Sequence, residues 1–485
     1  MRQEEINQPD WSLLAFAALA IIGGSMLGLL MSKVDNPLYL AAAVFAPCLL
    51  IAVILRPEWG LLGLFVMTYI RFSDVTVKYY GAPSTAKLFI AFLILIIAMR
   101  WWWFGNRPEG WQRASLLVLG YGLVSALSLL YADYFDITKN ALSDYAKDAI
   151  IVIIIAVLLN RANFLRQAIW SLLAAGIFMG TISVFQQLTG TFDHNYGGFG
   201  QAEFMHIVGQ ANDYRVGGPF GSPNAYSQIM LPLIPLALDR LWNERNKVLR
   251  VLAGWAFIAT VLTVIFTFSR NGFMSMVIML ALMFVRRPPR ASVLIATIVI
   301  AIPLLQFVPG QYMERISTLS DLLPNSNNDA REEISFRGRL SENISGWMMF
   351  SDHPITGVGL ANFPKHYQSY ARHLGIDNRR VERGAHNLYL QIAAEQGLVG
   401  LVAFGTMVGL LFYGLHQARQ NFLAAHMPDY AGIALAFSIG LLGYLLAGIF
   451  IHMAYPRHFW LLVGTAIAIF QIARNELQRT QKIVT

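Results

Sequence analysis

The chain has 485 residues, 56% of them hydrophobic and only 13% charged, with a formal net charge of +8. Soluble domains carry about 25% charged residues, so the composition excludes an ordinary water-soluble enzyme and calls for lipid as the solvent. In a lipid-embedded chain positive charge reflects topology first, and nucleic acid is not an expected partner.

Apolar windows able to cross about 30 Å of hydrocarbon as helices are expected near 12–31, 38–55, 58–71, 86–104, 114–132, 145–160, 166–187, 224–240, 249–268, 271–286, 291–307, 390–415, 431–453 and 458–473. This gives a bundle of twelve to fourteen transmembrane helices. Lipid admits only helices or a closed barrel. Barrel strands alternate in hydropathy over about ten residues, whereas Val251–Phe268 is continuously apolar apart from Gly and Thr. The expected fold class is therefore all-α, a polytopic membrane helical bundle. Four parts are expected: N-terminal spans (1–187), central spans with an outer loop at 188–223 (188–308), a large loop with amphipathic helices (309–387), and C-terminal spans (388–485).

The first apolar run follows Arg2, Glu4, Glu5 and Asp10, and no small-residue cleavage site follows it. It reads as a retained anchor rather than a removed signal. The one cysteine, Cys48, lies inside an apolar run and reads as a small buried hydrophobe.

Orientation follows from Lys and Arg in the connections. With the N-terminus in the cytoplasm, eighteen of the 36 fall in cytoplasmic segments, nine in the shorter outer connections and nine in the long loop. Both termini are then cytoplasmic, and the long loop faces out. The outer connection 188–223 is rich in Gly, Asn and Pro and is expected to form tight turns rather than a strand. In the long loop, Asn325–Asp329 is a polar stretch. Around it, Ile334–Phe350 carries Ile344, Trp347 and Met348 on one side, and Asn362–Leu374 carries Phe363, Tyr367 and Tyr370 at helical spacing. Both helices are expected on the outer membrane surface.

Several residues carry potential chemistry. Arg270 sits in Thr267-Phe268-Ser269-Arg270-Asn271-Gly272 between two apolar runs. An ionisable group at that depth is costly and marks a functional site, or else it snorkels to lipid headgroups. Arg337-Gly338-Arg339 opens an amphipathic helix. It reads as a forked phosphate grip or as a solvated basic helix start. His386 precedes Asn387 and an apolar run. Histidine takes a proton from a hydroxyl at neutral pH, and Asn387 suits a helix cap. Glu395 lies about two and a half turns further along the same helix and needs a partner, either an arginine or the histidine. Asp352-His353-Pro354 reads as a turn, while His452 and Arg457-His458 read as interfacial residues near the outer ends of the last spans. Paired carboxylates, metal-ligand spacing and a phosphate-cradling loop are absent from the sequence.

In order along the chain come Gly218–Asn224, an apolar run with Pro232 and Pro235, Ser269-Arg270, and Arg339 eight residues before Trp347. His353-Pro354-x-x-Gly357-x-Gly359, His386-Asn387 and Glu395-x-Gly397 follow. This series resembles the O-antigen ligase and polymerase superfamily over about residues 215–405. The resemblance implies an inverting glycosyltransferase of the GT-C type in the bacterial inner membrane, with its site facing the periplasm and without a metal or other cofactor. The donor would be a glycan on undecaprenyl pyrophosphate. The acceptor would be a hydroxyl of the lipid A core, of a growing glycan, or of a protein Ser or Thr, with the lipid A core as first choice. Carried over, Arg270 and Arg339 would bind pyrophosphate, with Arg337 an alternative to Arg339 and Arg215 a weaker candidate. His386 would be the base. The opposing readings are a lipid-linked oligosaccharide flippase, whose charges would line a central cavity from both sides, and a structural membrane subunit, which leaves the arginine-histidine cluster unexplained.

Overall fold

The computed structural model describes residues 50–105, 111–207, 210–287, 334–376, 381–452 and 456–484. The expected spans at 12–31 and 291–307, most of 38–55, Cys48 and the stretch 325–329 lie outside the described residues.

The described chain is almost wholly helical. Its first half holds α1 (Pro57–Tyr69), α2 (Phe72–Tyr80), α3 (Thr85–Phe104), α4 (Trp111–Ala126), α5 (Phe135–Leu158) and α6 (Ala162–Thr189). A hairpin, β1 (Gln201–Ile207) and β2 (Gln210–Gly218), leads to α7 (Pro223–Met230), α8 (Leu233–Asn243), α9 (Lys247–Phe266) and α10 (Arg270–Arg286). The remainder holds α11 (Ile334–Asp352), α12 (Phe363–Leu374), α13 (Leu388–Ala424), α14 (Pro428–Ala447) and α15 (Pro456–Val484). Among the described residues six helices are long and apolar enough to cross a membrane: α3, α4, α6, α9, α13 and α14. There are seven if α1 and α2, bent by 57°, count as one span. The fold is an all-α polytopic membrane bundle.

Several expected boundaries move. The 224–240 span is two helices, α7 and α8, separated at Leu231-Pro232, because Pro232 has no amide hydrogen to continue the ladder. Helix α5 starts at Phe135 rather than near 145. Its part before Ala149 carries Asp136, Lys139, Asp144, Lys147 and Asp148, so the helix is longer than its apolar part. The 431–453 span ends at Ala447. The 188–223 connection is not turns alone: β1 and β2 pair antiparallel, with Glu203 opposite Arg215 and Ala202 opposite Val216. The glycines cluster before β1 and at the end of β2, leaving the strands β-branched and aromatic residues such as Val216 and Tyr214.

Lipid supplies no hydrophobic drive between helices, so close approach relies on small residues. A Cβ at Gly180 of α6 would lie 2.9 Å from the Ala259 Cβ of α9. The two ends of the bundle differ. One end gathers arginines: Arg240 pairs with Asp239 at 2.6 Å, Arg166 with the buried Glu244, and Arg287 donates to Asn243 at 2.6 Å. The candidate site occupies the other end.

Candidate active site

The site is built where four chain segments end together. Helix α10 begins after Phe268, a non-glycine residue at φ 50°, and Ser269 caps it by accepting from the Gly272 amide at 3.3 Å. Arg270 is thus the first residue of a helix and half-buried, where the amide dipoles add to its positive field. Its neighbour Asn271 donates to the Ala447 carbonyl at 2.7 Å, tying α10 to the last turn of α14. The next carbonyl, of Gly448, accepts from the Leu388 amide at 2.8 Å, tying α14 to the start of α13. Arg215 of β2 is buried. It braces the same region, donating from Nε to the Thr267 carbonyl at 2.8 Å and from Nη2 to Asn224 Oδ1 at 3.0 Å.

Asn387 caps α13 as expected, its side chain accepting from the Tyr389 and Leu390 amides at 3.0 Å each. This fixes His386 one residue before the cap. The His386 Nδ1 lies 2.5 Å from Oε2 of Glu342, which is wholly buried on α11. The other oxygen, Oε1, faces the Nε of Arg383 at 2.5 Å. An ionised carboxylate only accepts, so Nδ1 carries the hydrogen and Nε2 is left as a basic lone pair. The His452 ring meets the His386 ring edge-on at 5.6 Å. Burial, and next the proximity of His386, push the His452 imidazole down to about 4. It is therefore a neutral wall beside His386 at neutral pH.

Glu342 was not singled out in the sequence, and Glu395 takes a different role from the one expected. The Glu395 carboxylate accepts from the Ala361 amide at 2.9 Å, the Phe363 amide at 3.4 Å and Gln391 Nε2 at 3.2 Å. Two and a half turns beyond His386, it faces the segment that leads into α12, and Glu342 orients the histidine instead. That segment carries the His353-Pro354-x-x-Gly357-x-Gly359 motif, whose packing is specific. Helix α13 is broken at Gly397 (φ 62°, ψ −158°), and the motif strand inserts at the break. Its Val358 and Gly359 amides donate to the Ala394 and Glu395 carbonyls at 2.8 and 2.9 Å. Leu398 and Val399 donate back to the Pro354 and Ile355 carbonyls at 2.8 and 3.3 Å. The groups freed by the break are thus satisfied, as burial requires. A Cβ at Gly357 would sit 2.4 Å from the Glu395 carbonyl carbon, and one at Gly397 would sit 2.3 Å from the Ile355 carbonyl oxygen.

The two arginines at the head of α11 differ in exposure. Ser341, Glu342, Ser345 and Met349 are buried, while Trp347 is 61% exposed. Arg339 is half-buried and lies three residues before Glu342. Arg337 is exposed, and its Nε donates to the Ile376 carbonyl at 3.1 Å. Arg457 and His458 lie elsewhere. Arg457 pairs with Asp148 at 3.2 Å, and His458 Nε2 meets the Tyr69 carbonyl at 3.3 Å. Arg379 and Arg380 lie outside the described residues.

Fold and site define a multi-spanning membrane protein with a histidine-carboxylate pair and several arginines gathered at one end of the bundle. Residues 255–405 match a protein-family model described as O-antigen ligase, and over that part the match supports the O-antigen ligase and polymerase superfamily, a family of glycosyltransferase-like enzymes. The matched region holds Arg270, Arg339, Glu342, Arg383, His386, Glu395 and Gly397. No curated protein matches the chain.

Proposed function

We propose that the protein is an inverting glycosyltransferase that moves a glycan from undecaprenyl pyrophosphate to an acceptor hydroxyl, with the lipid A core oligosaccharide as acceptor. The observation that carries this reading is the 2.5 Å contact between His386 Nδ1 and buried Glu342. It leaves Nε2 as a base at the solvent-facing end of a membrane bundle. In the reaction, Nε2 takes the acceptor hydroxyl proton and the freed oxygen attacks the anomeric carbon. The bond to the pyrophosphate oxygen breaks on the opposite face, and undecaprenyl pyrophosphate departs with the electron pair. Glu342 holds the imidazolium that forms, and Arg270 and Arg339 meet the charge growing on the leaving group. Arg215, committed to Thr267 and Asn224, holds the α9–α10 turn in place. Arg337, exposed and donating to the Ile376 carbonyl, is left out of the pyrophosphate grip.

The gathering of Arg166, Arg240 and Arg287 at the opposite end supports placing that end in the cytoplasm of the inner membrane and the site in the periplasm. The test is purified protein in detergent with an undecaprenyl-pyrophosphate-linked glycan and lipid A core. Transfer of the glycan and release of undecaprenyl pyrophosphate, without ATP, is the expected result. Absence of product with well-folded protein that binds donor contradicts the reading.

A further inference from the structure

Two adjoining cavities lie by α5 and the start of α15, and the second reaches the first turns of α13. The first, of about 260 Å³, is lined by Arg71, Asp74, Arg457 and His458 together with Asp144 and Asp148. The second, of about 280 Å³, shares Asp144 and Asp148 and runs along the first turns of α13, past Leu388, Gln391 and Glu395. Its wall is aromatic: Tyr145 and Tyr121 stand 5.0 and 6.0 Å from the Trp460 ring, centroid to centroid. Together the two reach the range of about 300–1,000 Å³ usual for ligand sites.

The lining is chemically mixed. Carboxylates and amide oxygens accept hydroxyl protons, guanidinium groups donate to ring and hydroxyl oxygens, and flat aromatic faces cover C–H surfaces. A sugar chain offers all three kinds of surface at once. A phosphate would be repelled by Asp74, Asp144 and Asp148, and a lipid tail would leave those charges unsolvated. The rims are firmly held. Arg71, at φ 55° between α1 and α2, pairs with Asp74 at 2.9 Å and donates to the Pro219 carbonyl at 3.2 Å. Arg457 is fixed by Asp148.

We propose that these adjoining cavities form one cleft that binds the acceptor glycan and delivers its hydroxyl to His386. The inference rests on the glycosyl-transfer reading. The acceptor is favoured over the donor glycan by placement: Asn271, next to Arg270, is tied to the start of α13 through α14, while the second cavity lies on the side of α13 that faces α4, α5 and α15. His386 immediately precedes α13, whose first turns line that cavity.

The test uses the full-length protein and a deacylated lipid A core oligosaccharide, with binding measured by calorimetry in the absence of donor. Ala141→Trp fills the second cavity, and Asp144→Asn removes a carboxylate that is 75% exposed and therefore safe for folding. Each is expected to weaken binding roughly tenfold, the worth of one charge-assisted hydrogen bond, while Arg270→Ala leaves binding unchanged. In the transfer assay both cleft variants raise the acceptor KM and leave the donor KM alone. Wild-type affinity in both variants, no binding by the wild type, or a rise in the donor KM instead would each overturn the proposal. Binding that is lost in the cleft variants, in a protein that never transfers glycan, would keep the cleft as a glycan site and sink the transfer reading alone.

Discussion

His386 Nδ1 and Glu342 Oε2 stand 2.5 Å apart although 44 residues separate them in the chain. The histidine is positioned by the cap of α13 and the carboxylate by the buried face of α11, so the pair exists only when these two helices dock. Glu342→Gln keeps the shape but lets the side chain amide donate to Nδ1, favouring the wrong tautomer. A fall in kcat of about 10²-fold or more is expected, with the donor KM unchanged and partial recovery in Glu342→Asp. Equal kcat in Glu342→Gln and wild type would remove the carboxylate from the mechanism.

The two arginines at the head of α11 differ in exposure, Arg339 half-buried and Arg337 exposed. Arg339→Ala is expected to lower kcat/KM by about 10²-fold, the scale of losing one donor to a developing anion. Arg337→Ala, which removes an exposed contact to Ile376, changes it by less than about threefold. Reversal of that order in steady-state kinetics would show that Arg337 rather than Arg339 meets the leaving group.

Gly357 and Gly397 occupy a crossing where backbone meets backbone. Each has positive φ, and neither has room for a Cβ. Gly357→Ala and Gly397→Ala are each expected to cost about 1–3 kcal/mol from backbone strain, and more from the clash. The readout is a lower melting temperature in detergent together with lost activity. An unchanged melting temperature for both would mean that the break in α13 is not required.

Much of this was legible in the sequence. The apolar runs gave most described spans, Asn387 fitted a cap, and Arg270 stood out by its depth. Glu342 did not stand out, and the reason is physical. On α11 the apolar line of Ile344 and Trp347 looks like a buried face, and the polar line of Ser341, Glu342 and Ser345 looks solvated. In the structure Ser341, Glu342 and Ser345 are buried, Ile344 is half-buried and Trp347 is exposed, which is stable where an apolar face meets a lipid interface and the polar face packs on a site. Local pattern cannot show which face docks. The same limit hid the partners of Glu395, which belong to a segment 32–34 residues away, and the β hairpin, whose flanking glycines outweighed its short strands.

His452 makes a pH prediction. Burial holds its folded-state value near 4, below the ordinary 6.5. The unfolded chain therefore binds the extra proton first as pH falls, so its contribution to stability is present above about 6.5 and is lost between there and about 4. Protonation would also charge a ring whose Nδ1 is buried with no hydrogen-bond partner among the described residues. Melting temperatures of wild type and His452→Gln, taken from pH 7 to 4.5, should converge toward the acid end, with the wild type falling more steeply. Parallel curves would mean that His452 charges as readily when folded as when unfolded.

The central claim is that His386 is the base. The most direct measurement is glycan transfer from undecaprenyl pyrophosphate by His386→Ala in detergent, alongside donor binding and melting temperature. The expected result is a loss of turnover of about 10²–10⁴-fold, with donor affinity and melting temperature kept. Turnover equal to wild type in a folded, donor-binding variant would contradict the assignment and leave the contact with Glu342 as a purely structural one.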